Sequence, residues 1–361
     1  MNKQTLARIR LHAQHLLGAP LGSAAEVVGW FGAVQSQEVA VAPWSLGQRS
    51  RATHGEVAQA LASGGILRTH ILRPTWHYVR SSDLRWMMAL SGPRVRARMR
   101  PMDRKIGVDK IAARSNEVIA RALEGGKALT RTELGEALAR KRIDAKGQIL
   151  GHLVMHAELA LVACSGPPKG KQQTYALVDD RVPDRTVGPT GEEAIVELAR
   201  RYVRSHGPAT ARDFSWWSGL TIKEARRAME AAGLESVNED DRTYWYEPPL
   251  PSPRKGALRA HLLQAYDEYG IAFTESRDVV DVGRHARPAT SGAVSLVHWF
   301  TIDGQVAGYW RRALARGPGE IDIAPARSLD AREWKAIDAE VARYGKFLGV
   351  EGGYRKESLP R

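Results

Sequence analysis

The sequence predicts an α+β protein of three tandem winged-helix modules, followed by a β-barrel-like unit and a terminal helix. Three observations carry that expectation. Helix-start signals recur along the chain. Runs of helical periodicity give way to pairs of short β-rich runs, and a proline-rich stretch separates a strand-rich C-terminal part from what precedes it. At roughly 100 to 200 residues per domain, a chain of 361 residues has room for several units with their own cores.

The helix starts are Ser23 to Glu26, Thr53 to Glu56, Thr130 to Glu133 and Thr221 to Glu224, each pairing a hydroxyl with a carboxylate three residues on. In a first module, residues 1–90, helices are expected over 3–17, 24–34 and 55–63. After Gly64-Gly65, the run ILRTHILRPTWHYV is rich in β-branched and aromatic residues and broken at Arg73-Pro74, so it reads as a two-stranded hairpin. Three helices and then a hairpin is the winged-helix order.

The order returns in residues 91–188, with helices near 115–124, 131–141 and 146–156 and strands LALVAC and TYALV. Between those strands Lys169 and Lys171 sit on a Gly/Pro turn, as a wing lying along phosphates requires; a solvated loop has the same composition. Residues 189–247 carry it a third time, through GEEAIVELARRYVRSHG, TARDFSWWSGL, a helix over 222–232 and the strand RTYWYEP. The linker PPLPSPRKG, residues 248–256, forbids helix. Beyond it, in residues 257–361, HLLQAYDEYGIAF, GAVSLVHWFTIDG, QVAGYWRRAL and GEIDIA read as strands with a turn at Asp303-Gly304, and residues 329–348 as an amphipathic helix with Trp334, Ile337, Val341 and Tyr344 on one stripe.

The bulk chemistry narrows the function. Lys plus Arg outnumber Asp plus Glu by 53 to 40, a net charge of +13 and a pI near 9.9, which favours a polyanionic partner. An Arg-heavy composition inherited from a GC-rich genome gives the same excess. Basic residues cluster in 91–115, where Arg94, Arg96, Arg98 and five others face only Asp103 and Asp109, in the loop with Arg284, His285 and Arg287, and at Arg311-Arg312; with Arg73 in the first hairpin and the wing lysines they are the expected DNA contacts. Cys164 is the sole cysteine, so no intrachain disulfide forms and four-cysteine zinc sites are excluded. The N-terminus alternates polar and apolar residues, unlike a signal peptide, and no stretch approaches the ~18 apolar residues of a membrane span. A cytoplasmic, nucleoid-associated protein that uses no membrane is expected.

Other chemistry finds little support. His152 and His156 have the spacing of two zinc ligands but lack the Glu of a metalloprotease helix, so packing and hydrogen bonding is the reading, with no metal site. No P-loop, dinucleotide fingerprint or nucleophile elbow occurs, and no cofactor is called for. Adjacent Trp216 and Trp217 point about 100° apart on a helix, so at most one faces a ligand. Gln35, Gln37 and Glu38 end the apolar run VVGWFGAV and are weak evidence by spacing alone.

Taken together, GAVQSQE, ILRTHILRPTWHYVRSSDL, GPATARDFSWWSGL, LLQAYDEY and DGQVAGYWRR resemble the AlkZ and YcaQ family of DNA glycosylases over nearly the whole chain. The resemblance implies three winged-helix modules around a DNA-binding face with a terminal β-barrel, a monomer, and double-stranded DNA with alkylated bases as partner. Its catalytic Gln-aliphatic-Gln motif falls on Gln35 and Gln37, nearer the AlkZ branch than the Gln-aliphatic-Asp of the other. Ser36 replaces the aliphatic residue, and Arg73-Pro74-Thr75 stands where the family pattern is Arg-Gly-Thr.

An amide neither takes nor gives a proton near neutral pH, so two glutamines orient water and present dipoles. That constrains the substrate: a neutral base is a poor leaving group, whereas an N7-alkylated purine is already cationic and departs neutral. Cationic N7-alkylpurines, bulky or crosslinked adducts included, are the matching class, with Glu38 as a possible acid-base helper. Two other classes compete. A non-catalytic winged-helix regulator would leave a sequence-specific footprint and release no base, and a sequestering protein would bind a drug without DNA.

Overall fold

The computed structural model describes residues 2–183, 188–250, 256–285 and 298–357. Arg287 and the segment GAVSLV, read as part of a strand, lie outside the described residues. The chain divides into two compact units, one made of Met1–Phe31, Glu38–Val57 and Ala199–Arg361, the other of Gly32–Gln37 and Ala58–Leu198.

In the second of these, β1 (Ala33–Gln35), β2 (Ile66–His70) and β3 (Trp76–Arg80) form an antiparallel sheet in the order β1-β3-β2. The hairpin is where the sequence places it, but it has a third strand. Helical periodicity predicts helix to residue 34; the helix instead ends at Phe31, because Gly32 takes φ +82°, a conformation open to glycine. The register sets Gln35 opposite His77 and His77 opposite Thr69, so one row across three strands is polar.

From Ser81 the chain runs as one helix to Lys105, through Pro93 and Pro101, where the sequence reading puts a connector. Helices Ala112–Leu123, Arg131–Arg140 and Gly147–Leu159 follow. Ile119, Leu123, Leu134, Leu138 and Leu153 close their shared core. The expected strand beginning at Leu159 starts only at Ala163: β4 (Leu129–Thr130), β5 (Ala163–Lys169) and β6 (Gln172–Leu177) make a sheet in the order β4-β6-β5. His152 Nδ1 and His156 Nε2 reach the two oxygens of the buried Asp103 carboxylate at 2.7 and 2.9 Å, which ties their helix to the long one.

In the first unit, helices Ala211–Ser218 and Ile222–Ala231 precede the hairpin β7 (Glu235–Glu239) and β8 (Arg242–Tyr246), joined by Asp240 and Asp241, both at positive φ. The expected barrel is an open sheet. Strands β9 (Ala260–Leu263), β10 (His298–Ile302), β11 (Gln305–Arg312), β12 (Glu320–Pro325) and β13 (Gly353–Lys356) stand in the order β13-β12-β11-β10-β9, and no closed barrel forms among the described residues. Helix Ala331–Leu348 packs against β9, so that edge meets a helix where closure would need a strand. HLLQAYDEYGIAF, read as one strand, is β9 followed by a short helix Glu268–Ile271, which Asp267 caps through Tyr269 N. Trp44, Trp310, Tyr344 and Phe347 fill the core of this unit.

Three of the four anticipated capping boxes are made, at Thr53, Thr130 and Thr221; at Ser23 the hydroxyl accepts from Glu26 N, but the Glu26 carboxylate accepts from Gly22 N and the Ser23 hydroxyl. Asp303-Gly304 turns β10 into β11 with both residues at positive φ. Among the described residues no helix is long and apolar enough to cross a membrane.

Candidate functional site

Pairing of β1 with β3 brings the glutamines to the β2–β3 turn. Gln35 is 2% exposed, and its Oε1 accepts from Arg73 Nη2 at 2.7 Å. One residue on, Ser36 N donates to Trp76 O at 2.8 Å, which carries the β1 pairing past its last strand residue. Gln37 is half-buried, and its Oε1 accepts from Trp76 N at 3.1 Å. Ser36 itself is fully buried. Its carbonyl accepts from Arg68 Nε at 3.0 Å, and its hydroxyl has no partner among the described residues.

The turn that receives both amides is tight. Arg73 N donates to Ile71 O, Thr75 N donates to Arg73 O, and Leu72 sits at φ +62°. Left-handed backbone at a leucine is strained and is retained where the surroundings over-determine it. On the opposite face of the sheet, Arg68 lies over the Trp76 ring at 4.5 Å, the His70 ring meets Trp76 at 4.2 Å, and His70 Nδ1 is hydrogen-bonded to the buried carboxylate of Glu158. The sequence by itself does not mark Arg68, Thr69, Trp76 and His77 as site residues. Their signal was present: ILRTH places polar residues on both faces of a short apolar strand, a pattern that a merely structural hairpin does not need.

The division of the chain falls just after the motif, so Gln37 belongs to one unit and Glu38 to the other. Within its own unit Glu38 Oε1 lies 3.4 Å from His298 Nε2, and Arg312 Nη1 donates to Ala40 O at 3.2 Å. The hydrogen bond from His298 holds the Glu38 carboxyl below its ordinary value of 4.5 against the effect of partial burial, and the charges of His298 and Arg312 add to it. At neutral pH Glu38 is therefore a carboxylate, able to stabilise positive charge or accept a proton and unable to donate one.

The basic residues meet different fates. Arg73 is 6% exposed, inside the site. Arg96 donates to Leu159 O, while Arg98 is exposed and Arg94 half-buried on the long helix. Lys169 pairs with Glu133 at 2.9 Å, leaving Lys171 exposed at the hairpin tip. Arg284 is exposed, and His285 is held to Asp281 through its backbone N. Arg311 is bound to Asp322 and Glu357, and Arg312 reaches the loop that carries Glu38. Trp217 is buried and donates to Glu268, while Trp216 is 45% exposed. Among the described residues no group of three or more His, Cys, Asp or Glu side chains is placed to hold a metal ion.

A mixed α and β architecture and a strongly basic chain suit a protein that acts on DNA, and the comparisons give the class. The family model described as "DNA glycosylase AlkZ-like" matches residues 28–347, so the chain belongs to the AlkZ-like DNA glycosylases and is a DNA-repair enzyme. Among solved structures it is similar to the Streptomyces sahachiroi DNA glycosylase AlkZ, with a TM-score of 0.81 and 22% identity over 99% of this chain and 100% of that one; at that identity the likeness shows the fold. No curated protein matches the chain.

Proposed function

We propose that this glycosylase hydrolyses the N-glycosidic bond of cationic N7-alkylated purines in double-stranded DNA, with Gln35 and Gln37 as the catalytic residues. The observation that carries the reading is the pair itself: two amides, two residues apart, both with their oxygens held by the same turn. Neither can take a proton from water, so their contribution is to place a water and to set a dipole against the sugar as it becomes positive. Such modest help suffices when the departing base carries its own positive charge and leaves neutral. Bulky and crosslinked N7 adducts share that property and belong to the same class. Glu38, ionised at neutral pH, is assigned to stabilise the developing cation or to accept a proton from the attacking water.

The order of three helices and a hairpin, which appears in 112–177 and again in 191–246, supports three winged-helix modules at 1–90, 91–188 and 189–247 with a sheet-and-helix unit at 257–361. Exposed Arg98, Lys171 and Arg284 are the cations we assign to DNA phosphates first, with Arg94, Arg96, Lys169, His285, Arg287, Arg311 and Arg312 after them; the enzyme works as a monomer in the cytoplasm, on the nucleoid. The test is release of N7-methylguanine from alkylated duplex DNA. The wild-type chain is expected to release it and the Gln35→Ala/Gln37→Ala variant to fall by on the order of 100-fold or more. Equal release by both would sink the assignment.

A further inference from the structure

We infer that the turn between β2 and β3 is the positioning element of the glutamine pair, and that Arg73 acts through Gln35 rather than by gripping a DNA phosphate. The inference rests on the reading of Gln35 and Gln37 as catalytic.

A guanidinium and a backbone N–H can only donate. The end of each amide that faces the turn is therefore fixed by chemistry: Gln35 Oε1 faces Arg73 Nη2 at 2.7 Å, and Gln37 Oε1 faces Trp76 N at 3.1 Å. Flipping either amide would set an NH2 group against a donor. Both glutamines thus turn their oxygens toward the single stretch 73–76, one met by a side chain and the other by the backbone.

The stretch is built to stay still. Two successive hydrogen bonds spanning two residues close it, Pro74 fixes its own φ, and Leu72 is held left-handed. Arg73 is buried, and a planar fork with one arm on Gln35 fixes the amide plane as a flexible ammonium does not. Proline where the family pattern has glycine stiffens this turn, as expected of a turn whose task is to hold two amides at one angle. A surface arginine reaching for phosphate has no need of any of this.

The experiment measures single-turnover release of N7-methylguanine by the full chain with Arg73→Ala, Arg73→Lys, Gln35→Ala and the Arg73→Ala/Gln35→Ala double variant, beside duplex affinity at several salt concentrations. Arg73→Ala is expected to slow release by on the order of 100-fold with duplex affinity and its salt dependence unchanged. The double variant should be no slower than Gln35→Ala, because the amide through which Arg73 acts is already gone. Arg73→Lys should recover only part of the loss, and it carries the comparison if Arg73→Ala fails to fold. Multiplying effects in the double variant, or weaker DNA binding with a salt slope smaller by about one, would overturn the inference and return Arg73 to the phosphate contacts. Wild-type release by Gln35→Ala would instead remove Gln35 from catalysis, a separate result from either.

Discussion

Ser36 lies in a fully buried place between Gln35 and Gln37, and its hydroxyl has no partner among the described residues. An unmet buried hydroxyl costs about 1–3 kcal/mol. Ser36→Ala should therefore stabilise the protein by about 1 kcal/mol, read as a higher urea midpoint at unchanged slope; a lower midpoint would mean that the hydroxyl is satisfied. The site asks this residue for burial and for a carbonyl aimed at Arg68, which is why an aliphatic residue fits the family pattern equally well. Residue type also misled where charge was concerned. Arg73 and Lys171 look alike as cations in turns of the sequence, yet one is enclosed beside Gln35 and the other exposed at a hairpin tip. Only the fold separates them.

At the scale of elements, local signals were legible and long-range partners were not. The capping boxes, the β2–β3 hairpin and the Asp303-Gly304 turn depend on neighbours within a few residues, so the sequence displays them. Strand β1 has no such signature: three residues, Ala33–Gln35, become a strand because β3 offers a free edge, and Gln35, the first of the two glutamines proposed as catalytic, is its last residue. The helix Ser81–Lys105 was hidden for the opposite reason, since its prolines argue locally for a break that packing of its buried face, Leu84, Met87, Met88 and Val95, overrides. Another long-range tie organises the other unit. Arg49 holds Asp267 with two hydrogen bonds at 2.6 and 2.9 Å, both groups fully buried, while Asp267 caps the helix that follows β9. Burial pushes the Asp267 carboxyl up, but Arg49 prevails and holds it below its ordinary range. Asp267→Ala leaves a buried guanidinium uncompensated and should cost about 3–5 kcal/mol in chemical denaturation; a loss under about 1 kcal/mol would show the pair to be replaceable by water.

At the scale of the whole molecule, two compact units of interleaved sequence share one chain, and acid should act on the one that contains His261. His261 is buried and donates from Nε2 to Leu16 O; burial pushes its pKa down from 6.5 to about 4. The unfolded chain takes up that proton near pH 6.5 and the folded chain does not, so the stability this residue contributes is complete above pH 6.5 and is lost as pH falls toward 4. The loss is roughly 3 kcal/mol across that window. His261→Gln should flatten the fall in unfolding free energy between pH 6.5 and 4, and an unchanged slope would assign the acid lability elsewhere.

By itself the sequence determined the basic character, most helices, the hairpins and, through resemblance, the glutamine motif, because each is written in residue types at short spacing. Tertiary structure alone decided that β1 exists, that the C-terminal sheet stays open among the described residues, and that Arg73 faces Gln35. Those outcomes depend on which edges and donors meet across tens or hundreds of residues, where pairing geometry and burial prevail over local preference.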